Sequence, residues 1–191
     1  DYWANSLVKR GLKPKNFILS DDYIWWHRDL GVGFYLQGYF PYKQVISNCL
    51  IRDWYDGNRH YKEIKTPKGA VRECWEYIPA SFCEAPAEHF MKSATDIPVM
   101  KFIYENTSFE PDYAQARLRH RQVGEQGVVL CYLPKSPFMH LLALEAGIMS
   151  VTMPALNSPD EFGELLQVMK KAFDQAARIA LESPAEVLMI P

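Results

Sequence analysis

The spacing of apolar residues along this chain predicts both helices and strands, and the clearest pattern is a long amphipathic helix. Residues 158–161 read SPDE, which places serine at the helix cap, proline in the first turn and glutamate at the third position. After this signal, apolar side chains recur on one face every three or four positions. That face consists of Phe162, Leu165, Leu166, Met169, Phe173, Ala176 and Ala180. We therefore expect a helix from about residue 159 to the Ser183-Pro184 pair.

Three short apolar runs have the composition of buried strands. They are Phe17-Ile18-Leu19, Val128 to Leu133, and Val187 to Ile190. A run without a polar face suits a strand that is covered on both sides, as is common in parallel sheets. We therefore expect all three runs in a parallel sheet, with the last one as an interior strand.

Helices are predicted in the segments between these runs. The first covers residues 2–10 and ends at Gly11, where glycine provides the usual left-handed cap. A second begins at Ser93, a favourable N-cap with Asp96 three positions later. A third covers residues 111–123.

The rest of the chain predicts one more helix, an extended piece and a hairpin. The helix runs from Pro137 to Gly147, and the extended piece covers residues 150–156, SVTMPAL. Residues 59–78 have two extended halves around a turn of sequence TPKG, which is typical of a β-hairpin.

Alternating strands and helices favour an α/β fold with a parallel sheet. Neither a GxGxxG nor a GxxxxGK[ST] sequence follows any of the runs, so dinucleotide and P-loop folds are disfavoured. The leading prediction is a (β/α)8 barrel of the TIM type, with the hairpin at 59–78 as an insertion. Such barrels need about 250 residues, and this chain has 191. We expect residues 1–191 to form a single partial domain, about the first half of a barrel.

Composition narrows the classes of partner. The net charge is −2, and the basic residues are scattered, so neither nucleic acid nor a membrane is an expected partner. The four cysteines lack CxxC or CxH spacing, which disfavours a zinc site built within the chain. Scattered cysteines without a secretory signal predict reduced thiols and a cytoplasmic location.

In a barrel of this type, functional residues lie where strands end. Asp21 and Asp22 follow the first apolar run, and two interpretations stay open for them. One is a carboxylate directed into a pocket as a general base or ligand partner; the other is a favourable residue at a helix N-terminus. Tyr132 lies at the C-terminal end of the second strand and His140 follows on the next helix, so both are candidate substrate-binding residues; for His140 a purely structural role is the alternative.

Aromatic residues are unusually dense between residues 23 and 42. They are Tyr23, Trp25, Trp26, Phe34, Tyr35, Tyr39, Phe40 and Tyr42. Such rings line a wide, flat pocket for a planar or macrocyclic ligand in one interpretation. In the other they fill a core or form an oligomer contact, which makes a homodimer a candidate assembly.

Several motifs together resemble the uroporphyrinogen decarboxylase family. KTPKGAVRECWEYIP is similar to the family's TPxG hairpin, and Lys92, Ser93 and Asp96 fit its K-S-x-x-D helix start. VVLCYLPKSPFMHLLALEAG resembles the family's strand, Gly-x-Pro turn and following helix, and LNSPDEFGELLQVM resembles its D-P-E helix. The resemblance covers residues 56–191, preceded by an N-terminal segment at 1–55.

The resemblance implies an enzyme that decarboxylates a tetrapyrrole or related small molecule without a cofactor. With Leu30-Gly31 in register, the family's catalytic aspartate, which faces the pyrrole N–H groups, falls on Asp22. The sequence departs from the family at two positions. Lys135 stands where the turn has glycine, and Ala143 stands where the family has an active-site tyrosine.

Two other functions remain open. The same family contains methyltransferases that use zinc and a corrinoid protein partner, and Pro137-Phe138 is similar to their turn. The zinc ligands of those enzymes would lie beyond residue 191. The last alternative is a non-catalytic binding module, which half a barrel with unpaired strand edges disfavours.

Overall fold

The structure is a computed structural model that describes residues 2–31 and 35–190. The helices are α1 (Tyr2–Lys9), α2 (Asp21–Asp29), α3 (Ile97–Glu105), α4 (Ala114–Val123), α5 (Pro137–His140), α6 (Gly147–Asn157) and α7 (Pro159–Leu181). The strands are β1 (Tyr35–Tyr39), β2 (Tyr42–Ile46), β3 (Leu50–Asp56), β4 (Arg59–Thr66), β5 (Gly69–Ile78), β6 (Cys83–Glu88), β7 (Thr107–Pro111), β8 (Val128–Tyr132) and β9 (Val187–Met189).

The described strands form three sheets. A parallel sheet has the order β1-β8-β9, and β2 pairs with β7 in an antiparallel ribbon. The largest sheet is an antiparallel meander of β3, β4, β5 and β6 in chain order.

The predicted (β/α)8 barrel, whole or half, is wrong, because most strand pairs are antiparallel. The physical reason is local. Short turns join consecutive strands from β3 to β6, and parallel neighbours instead need a long crossover. The hairpin predicted at 59–78 is confirmed as β4 and β5, but it is the centre of a four-stranded sheet rather than an insertion into a barrel.

Two of the three predicted strands are present, and both lie in the parallel sheet. The strand predicted from Val128 is β8, whereas Phe17–Leu19 forms a 3-10 turn. The terminal run forms β9, parallel to β8, but its side chains are not buried on both faces, since Val187 is 38% and Met189 42% exposed. This strand has one neighbour among the described residues, so its predicted interior position is wrong.

The long helix α7 is confirmed and organises the main core. Its apolar face packs against α3 and β7, and the core also contains Ile64 and Val71 from the meander. Burying this face stabilises a helix whose other side is polar. The cap predicted at Ser93 is also confirmed, because Ser93 and Asp96 form a reciprocal capping box on a 3-10 turn that leads into α3.

A π-helical turn interrupts the helical segment after Pro137. Residues Leu141–Glu145 form this turn between α5 and α6, and the amide of Ala146 donates to the carbonyl of Leu141 at 2.8 Å. The predicted extended piece at 150–156 is wrong, since it lies within α6. A π turn contains one residue more than an α-helical turn and is often found at functional sites.

Candidate functional site

An aromatic pocket of about 280 Å³ lies between β2, α3, the segment after β8 and α7. Its walls are mostly ring side chains, with Leu144 and Pro134 adding aliphatic surface. The rings are Phe40, Tyr42, Tyr104, Phe109, His140 and Phe173. Concave, mainly apolar sites with a few polar groups are typical of small-molecule binding.

The rings of the pocket pack edge to face. Tyr42 and Phe109 lie 5.4 Å apart between centroids at 87°, and Tyr104 and Phe173 lie 5.7 Å apart at 85°. The ring of His140 lies 5.0 Å from that of Phe173. Because Tyr104, Phe109 and Phe173 are buried, these contacts fix the shape of the pocket before a ligand binds.

Three polar side chains meet at one wall. The Tyr104 hydroxyl donates to the Glu145 carboxylate, with both carboxylate oxygens 2.8 Å from the hydroxyl oxygen. Nε2 of His140 lies 3.4 Å from Oε1 of Glu145. A carboxylate beside an imidazole can orient the ring, an arrangement that is common where histidine transfers a proton.

Burial governs the ionisation of two side chains near this wall. Burial, followed by the neighbouring Glu145 charge, holds the pKa of Tyr104 well above its usual range. Burial also raises the pKa of the Glu73 carboxyl, although the indole N–H of Trp75 donates to it at 3.1 Å. The Tyr104 hydroxyl therefore keeps its proton at neutral pH and donates a hydrogen bond to Glu145.

Contacts with the preceding loop hold the π turn in place. The amide of Met91 donates to the carbonyl of Glu145 at 2.8 Å, and Nδ1 of His89 lies 2.9 Å from the carbonyl oxygen of Leu144. Gly147 follows with φ of 73°, and a Cβ there would lie 3.1 Å from Nε2 of His89. Glycine is thus favoured at position 147 by the backbone conformation and by the close approach of His89. Its conformation sets the direction of the chain directly after Glu145.

The structure brings two of the three predicted site residues to this region. His140 lines the pocket, and the ring of Tyr132 lies 5.5 Å from that of Phe40 at its edge. Asp22 is exposed in the first turn of α2, and the described lining residues include none from that helix. Its neighbour Asp21 accepts a hydrogen bond from Nε2 of Gln122 at 2.9 Å, which ties α2 to α4.

The dense aromatic segment divides between two places. Phe40 and Tyr42 line the pocket, whereas Tyr23 and Trp26 pack against the buried ring of Phe17. Phe34 lies outside the described residues. Part of the segment therefore lines a cavity and part packs in a core, while the binding of a planar ligand stays a prediction.

Sequence reasoning missed Glu145, Tyr104 and Phe173 as site residues. The available signal for Glu145 is a lone carboxylate in the apolar run LLALEAG, since a buried charge needs a partner. Tyr104 and Phe173 match the core positions of their helices, so nothing in the sequence separates them from packing residues.

Neither a candidate metal site nor a membrane-spanning helix occurs in the part of the chain that the structure describes. Residues 2–31 and 35–190 contain no group of three or more His, Cys, Asp or Glu side chains placed to hold a metal ion. Within the same residues, no helix has the length and apolar character that crossing a bilayer requires. The four cysteines all lie in these ranges and are unpaired.

Comparison of the chain with known protein families, curated proteins and solved structures finds no match. The resemblance to uroporphyrinogen decarboxylases therefore stays a prediction, as do the activity and partners that it implies.

Proposed function

We propose that this chain binds a flat ring compound in the aromatic pocket and exchanges a proton with it through His140. The observation that carries the proposal is the His140–Glu145 pair at the wall of a ring-lined cavity. Imidazole is the side chain whose ordinary charge change falls nearest neutral pH, which suits it to general acid–base catalysis.

The size of the pocket supports a small ligand. Its volume of about 280 Å³ is close to the lower end of the range of roughly 300–1,000 Å³ for ligand pockets. One ring or a fused pair of rings fits this volume, with its faces and edges against Tyr42, Phe109 and Phe173. The resemblance implies a tetrapyrrole, which is larger than a fused pair of rings. The binding experiment described below includes one.

The proposed chemistry assigns a role to each polar side chain. His140 gives a proton to the bound compound or takes one from it. Glu145 stabilises the imidazolium, and Tyr104 holds Glu145 in position. A carboxy-lyase, the reaction class predicted from the sequence, uses such a proton because the carbon that loses carbon dioxide must take one up. We place this activity in the cytoplasm, where unpaired thiols persist.

The test combines ligand binding with a reaction readout. A panel of one- and two-ring compounds and a tetrapyrrole is incubated with the protein in D₂O, and NMR records binding, deuterium incorporation and loss of carbon dioxide. We expect His140→Gln to abolish the reaction while the affinity stays within about threefold, because the rings supply the binding energy. His120→Gln, on the exposed side of α4, is the control and keeps both properties.

The proposal is rejected if no compound in the panel shifts the resonances of Phe173 and Leu144. The catalytic part alone is rejected if His140→Gln reacts as fast as the wild-type protein.

A further inference from the structure

Lys135 is the cationic side chain of the aromatic pocket. It lies in the loop between β8 and α5, is half-buried, and lines the cavity beside Pro134. Within the described part of the chain, no carboxylate lies within ion-pair distance of its ammonium group, whereas Lys43 and Lys101 each pair with a glutamate. The cation at this pocket therefore has no counterion among the described residues.

The carboxylate that contacts two of the lining rings is already engaged. Glu145 accepts from the Tyr104 hydroxyl and lies 3.4 Å from Nε2 of His140. The other residues that line this pocket are six rings, Pro134, Leu144 and Gln44. A partly desolvated ammonium in such surroundings attracts an anion more strongly than one in bulk water.

Gln44 adds a second free polar group to the pocket. Tyr42 and Gln44 are two positions apart on β2, so both point to the face of the ribbon that lines the cavity. The side-chain amide of Gln44 is exposed at the rim of the pocket and has no hydrogen-bond partner among residues 2–31 and 35–190. It offers an N–H donor beside an otherwise apolar wall.

We infer that the ligand of this pocket is a ring compound that carries a carboxylate, and that Lys135 binds the carboxylate; this inference rests on the proposed function. The ring lies among Tyr42, Phe109 and Phe173, and the carboxylate pairs with the Lys135 ammonium and accepts from the Gln44 amide. A charge-assisted bond of this kind is about twice as strong as one between neutral groups. Lys135 thereby selects aromatic acids over neutral rings of the same shape.

Lys135 is also a position where this chain departs from the family that it resembles. That family has glycine in the turn, which offers no side chain to a ligand. The predicted specificity consequently belongs to this chain's own residues.

The test compares two probes of nearly equal shape, 2-naphthoate and its neutral amide 2-naphthamide. Affinities for the 191-residue chain are measured by calorimetry, with NMR to locate each probe at Phe173 and Leu144. We expect the wild-type protein to bind the carboxylate about ten- to a hundredfold more tightly than the amide. Lys135→Met should remove this preference and leave the affinity for the amide unchanged.

Two controls separate the site from general electrostatics. Lys15→Met removes an exposed lysine from the loop after α1 and should keep the full preference. Raising the salt concentration should reduce the preference of the wild-type protein only in part, because a half-buried pair is screened less than an exposed one.

Each contrary result has a distinct meaning. If both probes bind in the pocket equally well, the carboxylate inference is overturned and the proposed function stands. If the preference survives in Lys135→Met, the assignment of Lys135 is overturned. If neither probe binds, this inference is overturned, whereas the proposed function is decided separately by the wider panel of compounds described above.

Discussion

The Tyr104 hydroxyl lies 2.8 Å from both carboxylate oxygens of Glu145, a residue 41 positions further along the chain. Tyr104 is fully buried on α3, and Glu145 ends the π turn. One phenol therefore joins the central helix of the core to the wall of the pocket. Removing the hydroxyl leaves a carboxylate with most of its side chain buried and one donor fewer.

We expect Tyr104→Phe to lower the free energy of unfolding by about 1–3 kcal/mol, the cost of losing a hydrogen bond to a buried charged group. Urea denaturation monitored by circular dichroism measures the change. Tyr55→Phe is the matched control, because this ring is 71% exposed on the edge strand β3, and its stability should change by less than about 0.5 kcal/mol. Equal stability of the two variants would contradict the role given to Tyr104.

Gly147 and Gly163 form a second matched pair. Gly147→Ala should destabilise the protein by about 1–3 kcal/mol, because φ of 73° is strained for alanine and its Cβ would lie 3.1 Å from His89. Gly163 lies inside α7, where an added Cβ would have no atom of a neighbouring segment within 4 Å, so Gly163→Ala should stabilise by about 0.5–1 kcal/mol. Thermal denaturation distinguishes the opposite signs, and a stabilised Gly147→Ala protein would refute the packing described for the π turn.

Glu73 makes the stability depend on pH. Burial raises the pKa of its carboxyl in the folded state. The folded state then binds a proton more tightly than the unfolded state, so the contribution to stability is greatest below the unfolded pKa and is lost as pH rises through the folded pKa. In the wild-type protein, the free energy of unfolding should decline as pH rises above the usual glutamate pKa. Glu73→Gln should make this decline less steep. Urea denaturation at a series of pH values measures the difference. Glu105→Gln, at an exposed position on α3, should leave the slope as in the wild-type protein.

Asp22 is exposed in the first turn of α2, where a negative charge favours the helix dipole. Asp22→Asn should therefore cost about 0.3–1 kcal/mol of stability and leave the affinity for 2-naphthoate unchanged. Loss of turnover in this variant, at full ligand affinity, would instead support the catalytic role that the resemblance implies. Asp29→Asn, at the other end of the same helix, is the control and should be neutral or slightly stabilising.

Signals that lie within a few consecutive residues could be predicted from the sequence. The start of α7 at Pro159 and its apolar face, the Ser93–Asp96 capping box, and the hairpin of β4 and β5 each depend on local spacing, although Ser158 makes no side-chain capping bond. The meander could not be predicted in full because β3 lacks a buried face: Leu50 and Ile51 are exposed, so its apolar residues show no alternating burial. The predicted barrel is wrong because most of the described strands pair in antiparallel fashion and only three form a parallel sheet.

The candidate site could be predicted only in part. His140 is identifiable because it follows a strand, whereas Tyr104, Glu145 and Phe173 come from three separate segments that meet only in the folded chain. Apolar periodicity does not reveal the π turn, because one additional residue shifts the pattern without breaking it.

The additional residue of the π turn makes the site sensitive to single-residue deletions and insertions during evolution. The loop at Met91 and His89 anchors the C-terminal end of the π turn, so its N-terminal end is the part that must move when the turn is altered. Each residue of an α-helix advances the chain by about 100° around the axis. Deleting one codon between Leu141 and Leu144 would restore a regular helix and rotate His140 away from Glu145 in a single mutational step. The contact between His140 and Glu145 can therefore be lost or regained through one in-frame deletion or insertion, while the core side chains outside the turn keep their identity.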